Sequence, residues 1–446
     1  MSKPKYVAGV DTSTQSCKVV IVDPQTGEVV REGRATHPDG TEVDPEAWWQ
    51  AFLEAVDEAG GLDDVASLSV SGQQHGMVLL DADGNVIRPA LLWNDTRSAG
   101  AAEDLIVELG EGDRELGVER WVDATGSAPV ASITATKLRW VADNEPENAE
   151  KIAAVCLPHD WLTWKIAGSP GLEALATDRS DASGTGYMSR REPEYLPEML
   201  QLALRRNDVS DIVLPRIAGP WEEVGRGDEE RGWGHVALGP GTGDNAGAAL
   251  GLGLGAGEAS LSLGTSGVAA VISDHSVTDP SGIVTAFADA TGQWLPLVAT
   301  LNASRIIDAM AKMIGASYDE LDELALSVPD AGGLILEPYF EGERTPNLPD
   351  ATATLSGMTL ANTDRAHVAR AAVEGLLQLM RGALDAVRDM GVDIDKVYLV
   401  GGGAKSTAVQ ALAEEFLDAQ VELPPALEYV ALGAAKQAQK VLEEND

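Results

Sequence analysis

Two segments 253 residues apart, one turning at Asp11 and the other at Gly264, share a short plan. In the first, Tyr6-Val7-Ala8-Gly9-Val10 reads as a buried strand, Asp11-Thr12-Ser13-Thr14-Gln15-Ser16 as a polar turn and Lys18-Val19-Val20-Ile21-Val22 as a returning strand. In the second, Ala259-Ser260-Leu261-Ser262-Leu263 leads through Gly264-Thr265-Ser266-Gly267 into Val268-Ala269-Ala270-Val271-Ile272. A duplicated strand–turn–strand predicts two related lobes. Asp44 and Pro45 then start a helix whose Trp48, Phe52, Leu53 and Val56 share a face, with Gly60 as its stop. Ser67–Ser71 reads as a strand, and Asp81-Ala82-Asp83-Gly84 as the turn of a hairpin between Met77–Leu80 and Asn85–Ile87. A long amphipathic helix follows over 364–390, stopped by Gly391, then a strand over Lys396–Val400. Alternating elements of this kind predict an α/β fold. The glycine-rich stretch Gly239–Gly243 sets the expected boundary, giving an N-terminal lobe over 1–243 and a C-terminal lobe over 244–446.

Composition narrows the function. With 32 Lys+Arg against 71 Asp+Glu, the chain carries −39. A nucleic-acid face needs clustered cations, and so does an anionic membrane surface, so neither partner is expected. An anionic substrate would be opposed by the far field, leaving a metal ion and aimed backbone N–H groups to act locally. Cys17 and Cys156 are too few for a disulfide framework or a four-ligand zinc site, which suits a cytoplasmic protein. No apolar run reaches the roughly 18 residues of a membrane span, and the segment Met1–Tyr6 lacks a secretory apolar core.

Two lookalikes fail on context. Gly251-Leu252-Gly253-Leu254-Gly255-Ala256 has the dinucleotide spacing but follows a helical stretch rather than a strand. Gly403-Ala404-Lys405-Ser406 ends like a phosphate loop, but Ala404 replaces the glycine before lysine and Leu399 the first glycine. Other positions carry two readings each. The hydroxyls and N–H groups of Asp11–Ser16 suit phosphate oxygens, and Asp11 suits Mg²⁺; the same residues also make an ordinary turn. Asp244, in Gly241-Thr242-Gly243-Asp244-Asn245, can accept the proton of an attacking hydroxyl or can cap the helix after it. His75 and the run Trp93-Asn94-Asp95-Thr96-Arg97 can meet a polyol, or be a packed histidine and a packed tryptophan with a surface loop.

Taken in order, these segments resemble the FGGY carbohydrate kinases nearly end to end. Gly9–Lys18 is similar to the family's first phosphate motif, Ser71-Gly72-Gln73-Gln74-His75-Gly76 to the sugar-binding stretch of members acting on xylulose, and Gly243-Asp244-Asn245 to the segment with the catalytic aspartate. Ser262–Gly267 resembles the second phosphate motif and Gly401-Gly402-Gly403-Ala404-Lys405-Ser406 the adenosine motif. Leu92–Arg97, Leu157-Pro158-His159-Asp160-Trp161-Leu162 and Thr177–Thr185 also follow the family pattern. The resemblance implies a two-lobed actin-like ATPase (ribonuclease H-like) fold with a central cleft, and ATP- and Mg²⁺-dependent phosphorylation of D-xylulose at its terminal hydroxyl. It implies Asp244 as base, Asp11 at the metal, and Gln74, His75, Trp93, Asp244 and Asn245 at the sugar. Thr12, Ser13, Thr14, Lys18, Gly264, Thr265, Gly401, Gly402, Gly403 and Ser406 fall at the nucleotide, and a homodimer is common in the family. A relative acting on ribulose or gluconate is the nearest alternative, and a non-enzymatic ATP-binding sensor or chaperone-like ATPase the remotest. Two departures stand out: Gln74 replaces the methionine of the enterobacterial-type pattern, and Ile306 and Ile307 stand where the family shows a tryptophan.

The acidic composition predicts that solubility and turnover persist in molar salt; an activity titration in KCl checks this, and a steep loss would contradict it.

Overall fold

The apolar run Val7–Val10 is buried on both faces, which is why it shows no polar alternation. It forms the strand Tyr6–Thr12. Val7 packs with Val20, Val22, Ala431, Ala435 and Ala438, while Ala8 and Val10 face a core with Trp48 and Phe52. The computed structural model describes residues 5–445. In it the chain forms two compact units. The first holds the chain up to Gly253, Ala286–Trp294 and the segment from Glu428 on; the second holds Leu254–Thr285 and Leu295–Leu427. The expected 243/244 boundary therefore falls inside the first unit, and Asp244 belongs with Asp11.

In the first unit, Tyr6–Thr12 pairs antiparallel with Ser16–Val22, which pairs antiparallel with Val29–Thr36. On its other side Tyr6–Thr12 pairs in parallel with Val65–Gly72, which in turn pairs in parallel with Ala237–Leu238 and Thr242–Gly243. The second unit repeats this plan. Glu258–Leu263 pairs antiparallel with Gly267–Val271, which pairs antiparallel with Trp294–Thr300. Glu258–Leu263 also pairs in parallel with Lys396–Val400, and that strand with Gln420–Glu422. The duplication inferred from two hydroxyl-bearing turns thus extends to five strands with matching order and direction.

The expected helices form close to their signals. Asp44 caps Pro45–Glu58 by accepting from Glu46 N, and Asp364 caps Arg365–Arg388 by accepting from Ala366 N and His367 N. The second of these buries Val368, Ala372, Leu376, Met380, Leu384 and Val387 along one stripe. The hairpin at 81–84 is only partly realised. Asp81 Oδ1 accepts from the N–H groups of Asp83 and Asn85, closing the turn. However, Val78–Leu80 takes Ala154–Cys156 as its strand partner and keeps only an isolated bridge to Val86. A long-range pairing that local turn chemistry does not encode wins here.

The helices Asp244–Leu252 and Tyr429–Asn445 approach backbone to backbone. A Cβ on Gly433 would lie 1.9 Å from Gly247 O, and one on Gly251 2.0 Å from Tyr429 O. Gly433→Ala is therefore expected to cost about 1–3 kcal/mol of stability. Urea unfolding followed by tryptophan fluorescence measures it, and an unchanged midpoint would contradict the close packing.

Candidate active site

The parallel register of the first unit places three strand ends side by side. Thr12 lies beside Gly72, and Gly72 beside Gly243. Asp11, Ser71 and Thr242 are consequently neighbours at the carboxyl edge of the sheet, where open α/β sheets bind ligands. Gly243 is the N-cap of Asp244–Leu252, and Asp244 is the first helical residue rather than the cap. Asp244 Oδ1 accepts from Asn245 N at 2.7 Å and Asn245 Nδ2 at 2.9 Å. Asn245 Nδ2 also donates to Gln74 Oε1 at 3.0 Å. The Gln74 of the departure noted above therefore has a definite partner: it ties the sugar-motif strand to the Asp244 segment.

His75 has φ 67, a left-handed backbone uncommon outside glycine. Its carbonyl accepts from Lys137 Nζ at 3.1 Å and Thr134 Oγ1 at 3.3 Å, which holds that conformation. His75 Nδ1 lies 2.8 Å from Gly184 O. A carbonyl only accepts, so Nδ1 carries the proton and Nε2 keeps a free lone pair. Burial first, then the Lys137 charge, lowers the His75 pKa to about 4, so the ring is neutral at physiological pH. Lys137 itself is pushed down to about 7 by burial. Trp93 is largely exposed, and its Nε1 donates to Thr14 Oγ1 at 2.9 Å; Thr14 in turn donates to Gln73.

Two carboxylates set the electrostatics. Burial raises Asp11 to about 7, against the pull of Lys18 and with a further push from Glu428. Burial also raises Asp244 to about 7, with the Asp11 charge the next cause. Asp11 Oδ1 and Thr12 Oγ1 are buried without hydrogen-bond partners. An orphaned carboxylate oxygen beside a second carboxylate fits a hard cation such as Mg²⁺, which takes one or two protein carboxylates and fills its shell with water and phosphate. Among the described residues no group of three or more His, Cys, Asp or Glu is placed to hold a metal ion. Lys18 stands opposite Asp11 in the hairpin and ion-pairs with Glu428. The Ser13 hydroxyl donates to Ser16 O.

In the second unit the nucleotide-motif residues also converge. Gly264, half-buried, and Thr265, exposed, form a turn whose carbonyls accept from Ser304 N and Ala303 N. Gly401, Gly402 and Gly403 follow the strand Lys396–Val400, and Leu263, at the end of the turn's own strand, crowds Gly401 and Gly403. Gly402 has open space around it. The Ser406 hydroxyl is taken up by the fold, donating to Asp322 at 2.6 Å and accepting from Val409 N. Ile306 and Ile307 are 0% and 6% exposed, so they pack the interior and offer no face for a base.

Comparisons with known proteins identify the family. The N-terminal domain of the FGGY family of carbohydrate kinases matches residues 6–251, and the family's C-terminal domain matches residues 259–440. This chain belongs to the FGGY carbohydrate kinase family. Its sequence is 43% identical to a xylulose kinase of Streptomyces coelicolor over 99% of this chain and 89% of that one. The crystal structure of a xylulose kinase from Bifidobacterium adolescentis superposes with a TM-score of 0.94 at 52% identity, covering 99% of this chain and 93% of that one. A Plasmodium falciparum glycerol kinase with ADP shares the fold at a TM-score of 0.87 and 21% identity, covering 100% and 91% of the two chains. The duplicated sheet is accordingly the actin-like ATPase fold.

Sequence reasoning did not find Lys137 or Thr134, and it met Gly184 and Ser180 only as part of Thr177–Thr185, with no role assigned. The first three act on His75 through its backbone or ring from distant segments, and no local pattern marks them.

The raised carboxylates give a signed prediction. Their folded pKa values exceed the unfolded ones, so their stabilising contribution is complete below about pH 4 and is lost as pH rises to about 7. Asp11→Asn and Asp244→Asn should each stabilise the ligand-free protein at pH 8 by about 1–3 kcal/mol, with the gain fading toward pH 4. Thermal melts across that range test it; equal melting temperatures at pH 8 would contradict it.

Proposed function

We propose that this chain transfers the γ-phosphoryl group of ATP to the terminal hydroxyl of D-xylulose, giving D-xylulose 5-phosphate. The observation that carries the reading is the Gln74–Asn245–Asp244 hydrogen-bonded chain beside a His75 ring of fixed tautomer. These groups offer a polyol a set of directed donors and acceptors next to a carboxylate. The relatives that match over nearly the whole chain are named xylulose kinases, which supports the same substrate.

In this reading His75 Nε2 accepts from one sugar hydroxyl, and the amides of Gln74 and Asn245 bond others. The exposed Trp93 ring lies under a C–H face. Asp244, ionised, orients the terminal hydroxyl and takes its proton. The transition state of phosphoryl transfer is loose, so positioning and charge neutralisation contribute more than early deprotonation. Asp11 would hold Mg²⁺, which would supply positive charge to the phosphate oxygens and favour the ionised forms of the paired carboxylates. The Thr12–Thr14 turn with Lys18, and separately Gly264–Thr265 with Gly401–Gly403, hold the nucleotide. The reaction is cytoplasmic in this reading; both cysteines are buried and unpaired, and among the described residues no helix is long and apolar enough to cross a membrane.

The test is ADP release over a panel of xylulose, ribulose, gluconate and glycerol, run on the wild type and Asp244→Ala. Xylulose should give the highest kcat/KM, falling at acid pH as Asp244 protonates, with a midpoint below the ligand-free value of about 7 because Mg²⁺ favours the carboxylate. Asp244→Ala should lose about 10²–10⁴-fold in kcat while still binding ATP. Preference for another polyol would move the substrate assignment; an active Asp244→Ala would overturn the base.

A further inference from the structure

One buried polar cluster in the first unit has no part in the mechanism above. His159, fully buried in the helix Pro158–Ile166, places Nδ1 2.7 Å from Asp181 Oδ2. Its Nε2 lies 3.1 Å from Asp160 Oδ1, out of line for a hydrogen bond, and 3.9 Å from Asp178 Oδ1. The carboxylates are tied down in turn. Asp160 accepts from Leu157 N at 2.8 Å, and Asp178 accepts from Ser180 N at 2.7 Å and Asp181 N at 3.1 Å. Burial alone would lower the His159 pKa, but the surrounding Asp160, Asp181 and Asp178 carboxylates outweigh it and raise it to about 10. Burying one cation among three carboxyls is costly unless geometry is held tightly, and a hydrophobic filling would stabilise the fold at least as well. Stability alone does not account for it.

What the cluster touches indicates its use. The imidazole lies directly against the segment that delivers Asp244: a Cβ on Gly241, which has φ +85, would sit 2.2 Å from His159 Cδ2. On the other side, a Cβ on Gly72 would sit 2.9 Å from His159 Cβ. His159 is therefore packed beneath two of the aligned strand ends. The acidic side reaches the same segment by a hydrogen bond, because Gly243 N, one residue before Asp244, donates to Ser180 Oγ at 3.0 Å. Ser180 sits between Asp178 and Asp181 in the turn that His159 anchors.

We propose that His159, clamped by Asp181 and acting through Gly241 and the Ser180–Gly243 hydrogen bond, is a positioning residue that aims Asp244 at the acceptor hydroxyl. The inference rests on the reading of Asp244 as the base. The cluster's link to the sugar side runs through backbone, since Asp181 O accepts from Gly184 N at 2.9 Å and Gly184 O accepts from His75 Nδ1. These bonds stay in place when the His159 side chain is replaced, so its loss should be felt in kcat more than in substrate affinity. A misplacement of about 1 Å at the reacting group is enough to cost up to 10²-fold.

The experiment compares His159→Asn, His159→Gln, Ser180→Ala and Asp244→Ala in the full-length protein, measuring kcat, both KM values and the melting temperature. Asn Nδ2 overlays the imidazole Nδ1 and keeps the Asp181 bond, whereas Gln Nε2 does not. The expected order of kcat is wild type, His159→Asn, His159→Gln, with the last down about 10–100-fold and both KM values within about threefold. Ser180→Ala, a small change that leaves the ion cluster intact, should lower kcat about 3–10-fold with the KM values unchanged. If His159→Gln only melts earlier while its folded fraction keeps wild-type kcat, the residue is structural and the proposal is overturned. Should the histidine variants not fold, a wild-type kcat in Ser180→Ala overturns it instead. Asp244→Ala separates two failures: an active Asp244→Ala removes the base reading, whereas an inactive one beside fully active His159 and Ser180 variants removes only the positioning role.

Discussion

The structure depends on the side-by-side ending of three parallel strands, Tyr6–Thr12, Val65–Gly72 and Thr242–Gly243. Their register brings Asp11 and Asp244, 233 positions apart in the numbering, into mutual electrostatic reach in a poorly solvated place. Each carboxylate makes the other harder to ionise. That repulsion is unfavourable in the ligand-free fold, and the rest of the first unit is arranged to keep it. The C-terminal helix packs glycine against glycine on Asp244–Leu252, and Gln437 satisfies both backbone groups of Gly241. A cation bound between the two carboxylates would relieve that stored repulsion and offset the charge of an incoming polyanion.

The proposed sugar side is built by a different device. Gln74 and Asn245 are short-tethered amides locked to each other, and His75 is fixed from behind through its carbonyl and through Nδ1. Freezing the donors and acceptors before substrate arrives lowers the ordering cost of binding, which matters for a flexible polyol. Lys137 belongs to this rear support: a buried amine that spends its donors on the His75 and Ser132 carbonyls.

Much of this was legible in the sequence, and the reason differs from element to element. The strand before Asp11 is buried on both faces, so its apolar run announces it, while the strand before Gly264 shows itself by the alternation of Leu261 and Leu263 with Ser260 and Ser262. The helices at Pro45 and Arg365 carry their own caps in Asp44 and Asp364. Local chemistry dictates all of these. What escaped was long-range. The pairing of Val78–Leu80 with Ala154–Cys156 and the return of the C-terminal helix to the first unit depend on contacts between distant segments. So does the support that Lys137 and Gly184 give to His75 and Ser180 gives to Gly243. The boundary at 243/244 was drawn from glycines that serve close approach to His159 and Gln74 rather than a linker. Ser406 shows the converse: a motif hydroxyl whose bonds cap a helix and join Asp322.

The central claim is that Asp244 ionises late because it is buried and because the Asp11 charge adds to that shift. Carbon-detected NMR of ¹³C-labelled aspartate, in the ligand-free wild type and in Asp11→Asn, measures it directly. The account predicts that Asp244 titrates near pH 7 in the wild type and at clearly lower pH once the neighbouring charge is gone. An Asp244 that titrates in the ordinary carboxylate range, or one indifferent to Asp11→Asn, would contradict it.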